Sequence, residues 1–463
     1  MLTRIFSVMF LTLFLAAVLV AAEAKPNIIF ILTDDLGYGD LSCYGQTKFT
    51  TPSIDRLASE GMKFTQFYAG STVCAPSRCS LMTGQHTGRC YIRGNMKGPG
   101  NWGEFPLAAD QTTVATLLKK AGYATGCFGK WGLGTHANEG SPMNHGFDEF
   151  FGYYDQRDAH NYYPPYLHRN DEKIELDGKT YSHDLIERES LDFIRKNKNK
   201  PFFCYMTVTI PHAAMQVPEQ YVAPWRKVFP EFEDVTGKYS FDIEVRNPVA
   251  AFPGMMTRLD ETVEKILALL KELDLDEDTV IMFSSDNGPH KEGGHRSDFF
   301  KSFGPLRGTK RDLYDGGIRV PMLVRWSNKI KPGSVSDYIG AFWDVLPTLT
   351  DIAGIPESES PEQLDGLSLL PTLLGNTAVQ KQHPYLYWEF YEQKGKVAAR
   401  FGKWKGIRLN AIEQPNGPIE VYDLGNDVAE TSNVADQHPE IVAKFKEIFR
   451  EAHSPSSIFT GIQ

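Results

Sequence analysis

The chain lacks an excess of basic residues and any run long enough to span a membrane comfortably. Acidic residues outnumber basic ones 58 to 48, a formal charge of −10, whereas a protein that lies along polyphosphate carries the opposite balance. A general nucleic-acid binder is excluded on that ground. The one strongly apolar stretch, Ile5–Val20, has 16 residues, short of the roughly 20 that cross a bilayer as a helix. Cysteine is scarce: Cys43, Cys74, Cys79, Cys90, Cys127 and Cys204 are the only six, at spacings unlike a zinc knuckle. Repeats and low-complexity tracts are missing too, and 41% hydrophobic against 23% charged residues excludes disorder and collagen-like structure. A chain of 463 residues accommodates one large α/β domain and a smaller unit, or three small domains, without disulfide staples.

The first 24 residues form a separate object. One positive charge at Arg4, the apolar run, and Ala22-Glu23-Ala24 as a small-x-small site together have the form of a cleaved export signal. The expectation is a mature chain from Lys25, periplasmic or secreted, without a stable membrane anchor. In an oxidising compartment the six cysteines allow 15 full pairings, and sequence does not choose among them. Cys79 and Cys90 become partners only if the intervening loop folds back.

From Lys25 on, strand-like and helix-like segments alternate. Asn27–Thr33 is a continuous apolar run closed by Asp-Asp-Leu-Gly, as in a buried parallel strand. Further strands are expected at Phe64–Tyr68, Ala124–Phe128, Phe202–Val208, Thr279–Ser284 and Ile318–Arg325. Helices are expected at Ser53–Glu60, Thr113–Ala121, Tyr181–Lys196, Met255–Leu273 and Phe342–Ile352. This pattern predicts a large, mostly parallel sheet sandwiched by helices, with functional residues at the carboxyl ends of its strands. Past Leu374 the texture becomes short strands (His383–Phe390, Lys396–Leu409, Ile419–Asp423) and a final helix, Pro439–Glu451. The predicted division is a catalytic α/β domain, 25–375, and a C-terminal subdomain, 376–463, of antiparallel sheet plus helix.

Two oxygen-rich clusters stand at predicted strand ends. Asp34-Asp35 follows the first strand, and Asp286-Asn287-Gly288 follows Thr279–Ser284 in the same way. Adjacent carboxylates repel unless a cation or hydrogen bonds neutralise them. Four oxygen side chains meeting at one point suit Ca²⁺, or Mg²⁺, rather than zinc.

The most specific stretch is Cys74-Ala75-Pro76-Ser77-Arg78, continuing Cys79-Ser80-Leu81-Met82-Thr83-Gly84. It resembles the type I sulfatase signature, Cys-x-Pro-Ser-Arg with a Thr-Gly tail. The Asp-Asp and Ser-Asp-Asn-Gly blocks, Gly129-Lys130-Trp131, Pro211-His212, Lys310 with Tyr314-Asp315-Gly316-Gly317, and Val421-Tyr422-Asp423-Leu424 resemble that family in the same order, over roughly Lys25 to Ala452. The resemblance implies an alkaline phosphatase-like fold and oxidation of Cys74 to Cα-formylglycine by a formylglycine-generating enzyme. It implies Asp34, Asp35, Asp286, Asn287 and the modified Cys74 as ligands of Ca²⁺, and Arg78, Lys130, His212 and Lys310 as further catalytic residues. The aldehyde hydrate would attack sulfur with one hydroxyl and expel sulfate with the other.

One departure stands out. The family commonly has Lys-Trp-His-Leu-Gly, and here Gly132 occupies the histidine position. His136, His160 and His290 are candidates to stand in, with His160 and His290 favoured as substrate-binding residues. The expected substrate is a sulfate monoester of a sugar or glycan, which Trp102 and the aromatics of Tyr153–Tyr166 would stack upon, with aryl sulfates as assay substrates. The alternatives are a phosphonate or phosphodiester hydrolase on the same scaffold, and an inactive metal- and glycan-binding relative.

Overall fold

A computed structural model describes residues 25–98 and 104–462. The expected export signal and Trp102 lie outside the described residues. Within them, no helix is long and apolar enough to cross a membrane.

The first strand, Asn27–Thr33, is completely buried. Side chains alternate across a strand, so Ile28, Phe30 and Leu32 enter one apolar cluster while Ile29 and Ile31 enter another on the opposite face. Burying each such side chain contributes about 1.5–3 kcal/mol, which fixes the strand's register against a slip that would exchange the faces. Five strands run parallel in the order Thr279–Ser285, Asn27–Thr33, Phe202–Thr207, Ala124–Lys130 and Glu149–Tyr153. Met322–Trp326 joins Thr279–Ser285 antiparallel, and short strands at both edges complete a ten-stranded sheet. The helices Ser182–Lys196 and Pro248–Glu272 cover one face, while Val114–Lys120 and Val345–Ile352 cover the other. This is the large, mostly parallel sheet between helices that the alternating pattern predicts.

Four elements differ from expectation. Phe64–Tyr68 divides into Met62–Phe64 in the large sheet and Phe67–Tyr68 in a separate two-stranded sheet. Ile318 ends a helical turn, Asp315–Ile318, and the strand begins only at Met322, because Pro321 supplies no backbone N–H for a ladder. The long helix starts at Pro248, not Met255, where Asn247 caps it through a 2.9 Å bond from the Ala250 amide. Lys396–Leu409 is a hairpin that turns at Gly402.

The hairpin belongs to a four-stranded antiparallel sheet, Leu386–Phe390 to Glu420–Asp423, packed under the helix Pro439–Ala452. Its other side meets the catalytic fold through Trp388, Trp343 and Tyr68. At that junction Lys405 is fully buried, with its ammonium 2.7 Å from Asp315 and 3.6 Å from Glu430. Tyr68 donates to the same Asp315 carboxylate at 2.8 Å.

Candidate functional site

Parallel pairing brings the two acidic clusters together. Thr33 lies opposite Ser285, so the chain leaves adjacent strands side by side as Asp34-Asp35 and Asp286-Asn287. The Asp35 amide donates to Asp286 Oδ1 at 3.1 Å, and Asn287 Nδ2 donates to Asp35 Oδ1 at 2.7 Å. Asp35 has φ of 62°, a left-handed conformation that aspartate tolerates better than most residues. Cys74 heads the helix Cys74–Thr83, with its thiol 3.5 Å from Asp34 Oδ1. One ligand atom from each of Asp34, Asp35, Cys74 and Asp286 falls within 4.8 Å of every other.

The cations converge on these carboxylates. Lys130 ends its strand with Nζ 2.6 Å from Asp34 Oδ2, and neither side chain is measurably exposed beyond 1%. Its neighbour Gly129 has φ of +120°, and a Cβ there would sit 1.9 Å from the Thr207 carbonyl, so only glycine lets these strands lie this close. One helical turn after Cys74, Arg78 donates to Asp286 Oδ2 at 2.9 Å and to the Lys130 carbonyl at 2.7 Å, and also meets Thr207 Oγ1. Lys310 reaches Asp35 Oδ2 at 2.8 Å and His212 Nε2 at 2.9 Å from a loop held by its own amide on the Pro289 carbonyl.

Burial alone would raise the Asp34 carboxyl, but Lys130, with Arg78 and Lys310, outweighs it and holds it well below the usual range. Burial, then repulsion from Asp34, pushes Asp286 up to about 7 despite Arg78. Lys130 and Lys310 are desolvated, which disfavours their charge, yet the adjacent aspartates keep both firmly protonated. Burial, then Lys310, depresses His212 well below an ordinary imidazole. Its contacts agree: Nδ1–H donates to the Ala213 carbonyl, leaving Nε2 to accept from Lys310. The 3.1 Å approach of Nε2 to Asp35 is therefore not an ion pair. Burial also pushes the Cys74 thiol far above its normal value, so an unmodified cysteine stays protonated here and is a weak nucleophile.

The residues fit a hard divalent cation. Three carboxylates present oxygens together, and the fully buried Asn287, bonded through Nδ2 to Asp35, has no hydrogen-bond partner for its Oδ1. Asp34, Asp35 and Asp286 face Arg78, Lys130 and Lys310 in equal number, so an anionic ester entering this site needs further positive charge.

Two of the three proposed stand-in histidines come to this centre. His160 stacks on His212 at 4.5 Å between ring centroids, and His290 stacks on its other side at 5.3 Å. His136 does not join them; it stacks on His168 at 4.9 Å in a separate cavity. What occupies the space beside Gly132 is Gln156. A Cβ on Gly132, whose φ is +74°, would lie 2.5 Å from Gln156 Nε2, and neither amide atom of Gln156 has a partner. Sequence reasoning missed Gln156, and missed Glu292, which pairs with Arg311 and whose amide donates to His290 Nδ1 at 3.1 Å. A gap in the motif was the only sequence signal for the first; nothing local marked the second.

Comparison with known proteins agrees with this geometry. The sulfatase family model matches residues 26–355, and a model for the C-terminal region of N-sulphoglucosamine sulphohydrolase matches residues 308–454. N-acetylgalactosamine-6-sulfatase of Rattus norvegicus is 31% identical over 452 residues, 91% of this chain and 79% of the relative. Human arylsulfatase A is 30% identical over 495 residues, covering 95% and 89% of the two chains. A solved structure of Ps i-CgsB in complex with k-i-k-neocarrahexaose superposes with a TM-score of 0.77 at 26% identity, over 92% of this chain and 93% of that one. With matches that span both the large sheet and the C-terminal unit, the chain belongs to the sulfatase family: it is a sulfuric ester hydrolase with an alkaline phosphatase-like fold.

Proposed function

We propose that the protein is an exported hydrolase of sulfate monoesters on sugars, acting through Cys74 converted to Cα-formylglycine and one Ca²⁺, or Mg²⁺, held by Asp34, Asp35, Asp286 and Asn287. One observation carries the reading: two acidic pairs from adjacent parallel strands meet Cys74 inside a ring of Lys130, Lys310, Arg78 and His212. The names of the relatives support a sugar sulfate as substrate: one acts on N-acetylgalactosamine 6-sulfate, and another is solved with a carrageenan-type hexasaccharide.

When in place, the aldehyde hydrate supplies a hydroxyl nucleophile and the cation polarises sulfate oxygens. The chain's own groups do the rest. Lys130 and Lys310 offer ammonium protons to the non-bridging oxygens, whose charge grows as the ester bond breaks. Arg78 is spent on Asp286 and the Lys130 carbonyl, so it positions those groups instead of gripping the ester. Lys310 Nζ donates to His212 Nε2 at 2.9 Å, and this pair serves the departing sugar oxygen. His160 and His290 flank His212 and shape the leaving-group side. Cys74 is 3% exposed, so a formylglycine-generating enzyme would have to act on this segment before the chain folds.

The test is sulfate release from N-acetylgalactosamine 6-sulfate, a carrageenan oligosaccharide and an aryl sulfate, with and without chelator. Chelator-sensitive release supports the reading. Faster hydrolysis of a phosphonate monoester than of every sulfate ester would replace it with the phosphonate hydrolase alternative.

A further inference from the structure

A second cationic cavity lies on the C-terminal unit. Its volume is about 660 Å³, and its lining includes Arg408, Lys446, Phe449, Arg450, His453 and Phe459, with no acidic residue among the described residues that line it. In a chain of net charge −10, a concave surface that gathers cations and excludes carboxylates calls for a reason.

Arg408 supplies it. The other buried arginines are compensated: Arg78 by Asp286, Arg93 by Glu389, Arg258 by Asp184 and Glu187, Arg319 by Asp315, and Arg325 by Asp276 and Glu60. Arg400 acts on Asp315 and donates to Gly402, Tyr68 and Gln66. Arg408 is only 6% exposed, and its one hydrogen bond among the described residues is from Nε to the Gly417 carbonyl at 3.3 Å. No carboxylate there answers its charge. Desolvation accordingly pushes its pKa down, whereas the five ion-paired arginines are pushed up. A desolvated guanidinium without a counter-charge is costly, and an anion entering from the cavity removes that cost.

The rest of the cavity matches a flat, anionic ligand. Lys446, Arg450 and His453 stand three to four residues apart on the helix Pro439–Ala452 and just past it, and so share a face. His453 is already bonded to Glu389 at 2.7 Å, which leaves Arg408, Lys446 and Arg450 as the uncommitted cations. Phe449 lies beneath Arg408, 5.2 Å from guanidinium to ring centroid, and with the buried Phe459 it gives the cavity an apolar floor. An apolar floor flanked by cations suits a sugar ring that bears sulfate groups.

We propose that this cavity is an accessory binding site for a sulfated oligosaccharide, separate from the site that cleaves it. The inference takes its ligand class from the sulfatase reading. An accessory site would hold a polymer by a segment other than the one being hydrolysed, raising the effective concentration of its sulfate esters at Cys74.

The experiment uses the full chain carrying Cys74→Ala, so that nothing is turned over. Binding of a sulfated carrageenan hexasaccharide and of its desulfated counterpart is measured by calorimetry, with and without Lys446→Glu and Arg450→Glu. Both substituted side chains lie on the helix exterior, and thermal unfolding confirms the fold. Reversing two ligand-facing charges should weaken binding of the sulfated hexasaccharide at least about tenfold. In protein retaining Cys74, the same pair should lower kcat/KM on the polymer while leaving an aryl sulfate unaffected. Arg408→Met should do likewise. Unchanged hexasaccharide binding, or equal affinity for the desulfated chain, overturns the proposal. Binding that needs Lys446 and Arg450, in a protein that releases no sulfate from any ester, would instead overturn the sulfatase reading and leave this site standing.

Discussion

Lys130→Met removes one ammonium from the centre of the site and keeps most of the side chain's volume. The lost contact is 2.6 Å from Nζ to Asp34 Oδ2, between groups at most 1% exposed. At that distance, and an effective dielectric of about 20, the attraction amounts to about 6 kcal/mol before desolvation is counted. Breaking a buried pair from one side commonly costs about 3–5 kcal/mol, because the remaining charge is stranded. Arg78 and Lys310 still act on Asp34, which places this case near the lower end, about 3 kcal/mol. The assay is urea unfolding of parent and variant in chelator, so that bound cation does not mask the loss, alongside sulfate release under saturating substrate. The expected result is a stability loss of about 3 kcal/mol with activity reduced at least about a hundredfold. A variant destabilised by less than about 1 kcal/mol would refute the claim that Lys130 compensates Asp34 in a dry site.

Further predictions address other parts of the molecule. Asp286→Ala should abolish both hydrolysis and the rise in melting temperature on adding Ca²⁺; retention of either disproves the ligand assignment. Lys405→Met should cost about 3 kcal/mol, because it removes the 2.7 Å partner of Asp315 and leaves the 3.4 Å contact with Arg319, read as a lower urea midpoint, and a neutral result would show that the C-terminal sheet docks by its apolar face alone. Gly132→Ala should destabilise by about 1–3 kcal/mol, because the new Cβ meets Gln156 and the backbone has positive φ; an unchanged midpoint would mean that Gln156 moves away freely. His183 is fully buried, and desolvation lowers its pKa to about 3. It stays neutral in the folded chain while the unfolded chain takes up a proton below about 6.5, so stability falls as pH drops through that window. The advantage of parent over His183→Gln should therefore shrink by about 1.4 kcal/mol per pH unit between roughly pH 6 and 4, and a pH-independent difference contradicts it.

Much of the site was legible because the chemistry is written at strand ends. Asp34-Asp35 and Asp286-Asn287 each follow a continuous apolar run, and one register, Thr33 opposite Ser285, carries both to the same place. The helix beginning at Cys74 likewise explains the four-residue spacing to Arg78. What sequence could not supply was the direction of individual side chains. Arg78 turns onto Asp286 and a carbonyl, a matter of packing between three strands. His136, near in sequence to Lys130, leaves the centre, whereas His290, from a distant loop, packs against His212. The strand expected from Ile318 starts at Met322, after Pro321, and Asp315–Ile318 is instead a turn of helix that buries Asp315 beside Lys405. The aspartates of a net-negative chain also misdirect: in the proposed reading their charge serves a cation, and the substrate meets Lys130 and Lys310 instead.

The central claim is that Cys74 does not work as a cysteine. Burial pushes its thiol pKa up, and in the proposed reading the nucleophile is an oxygen made from it. Mass spectrometry of the peptide spanning Cys74, from protein made in its native host and assayed for sulfate release, measures this directly. The account predicts a residue lighter than cysteine by about 18 Da, the mass of formylglycine, in a fraction that tracks activity across preparations. An active preparation in which the peptide carries only intact cysteine would contradict it.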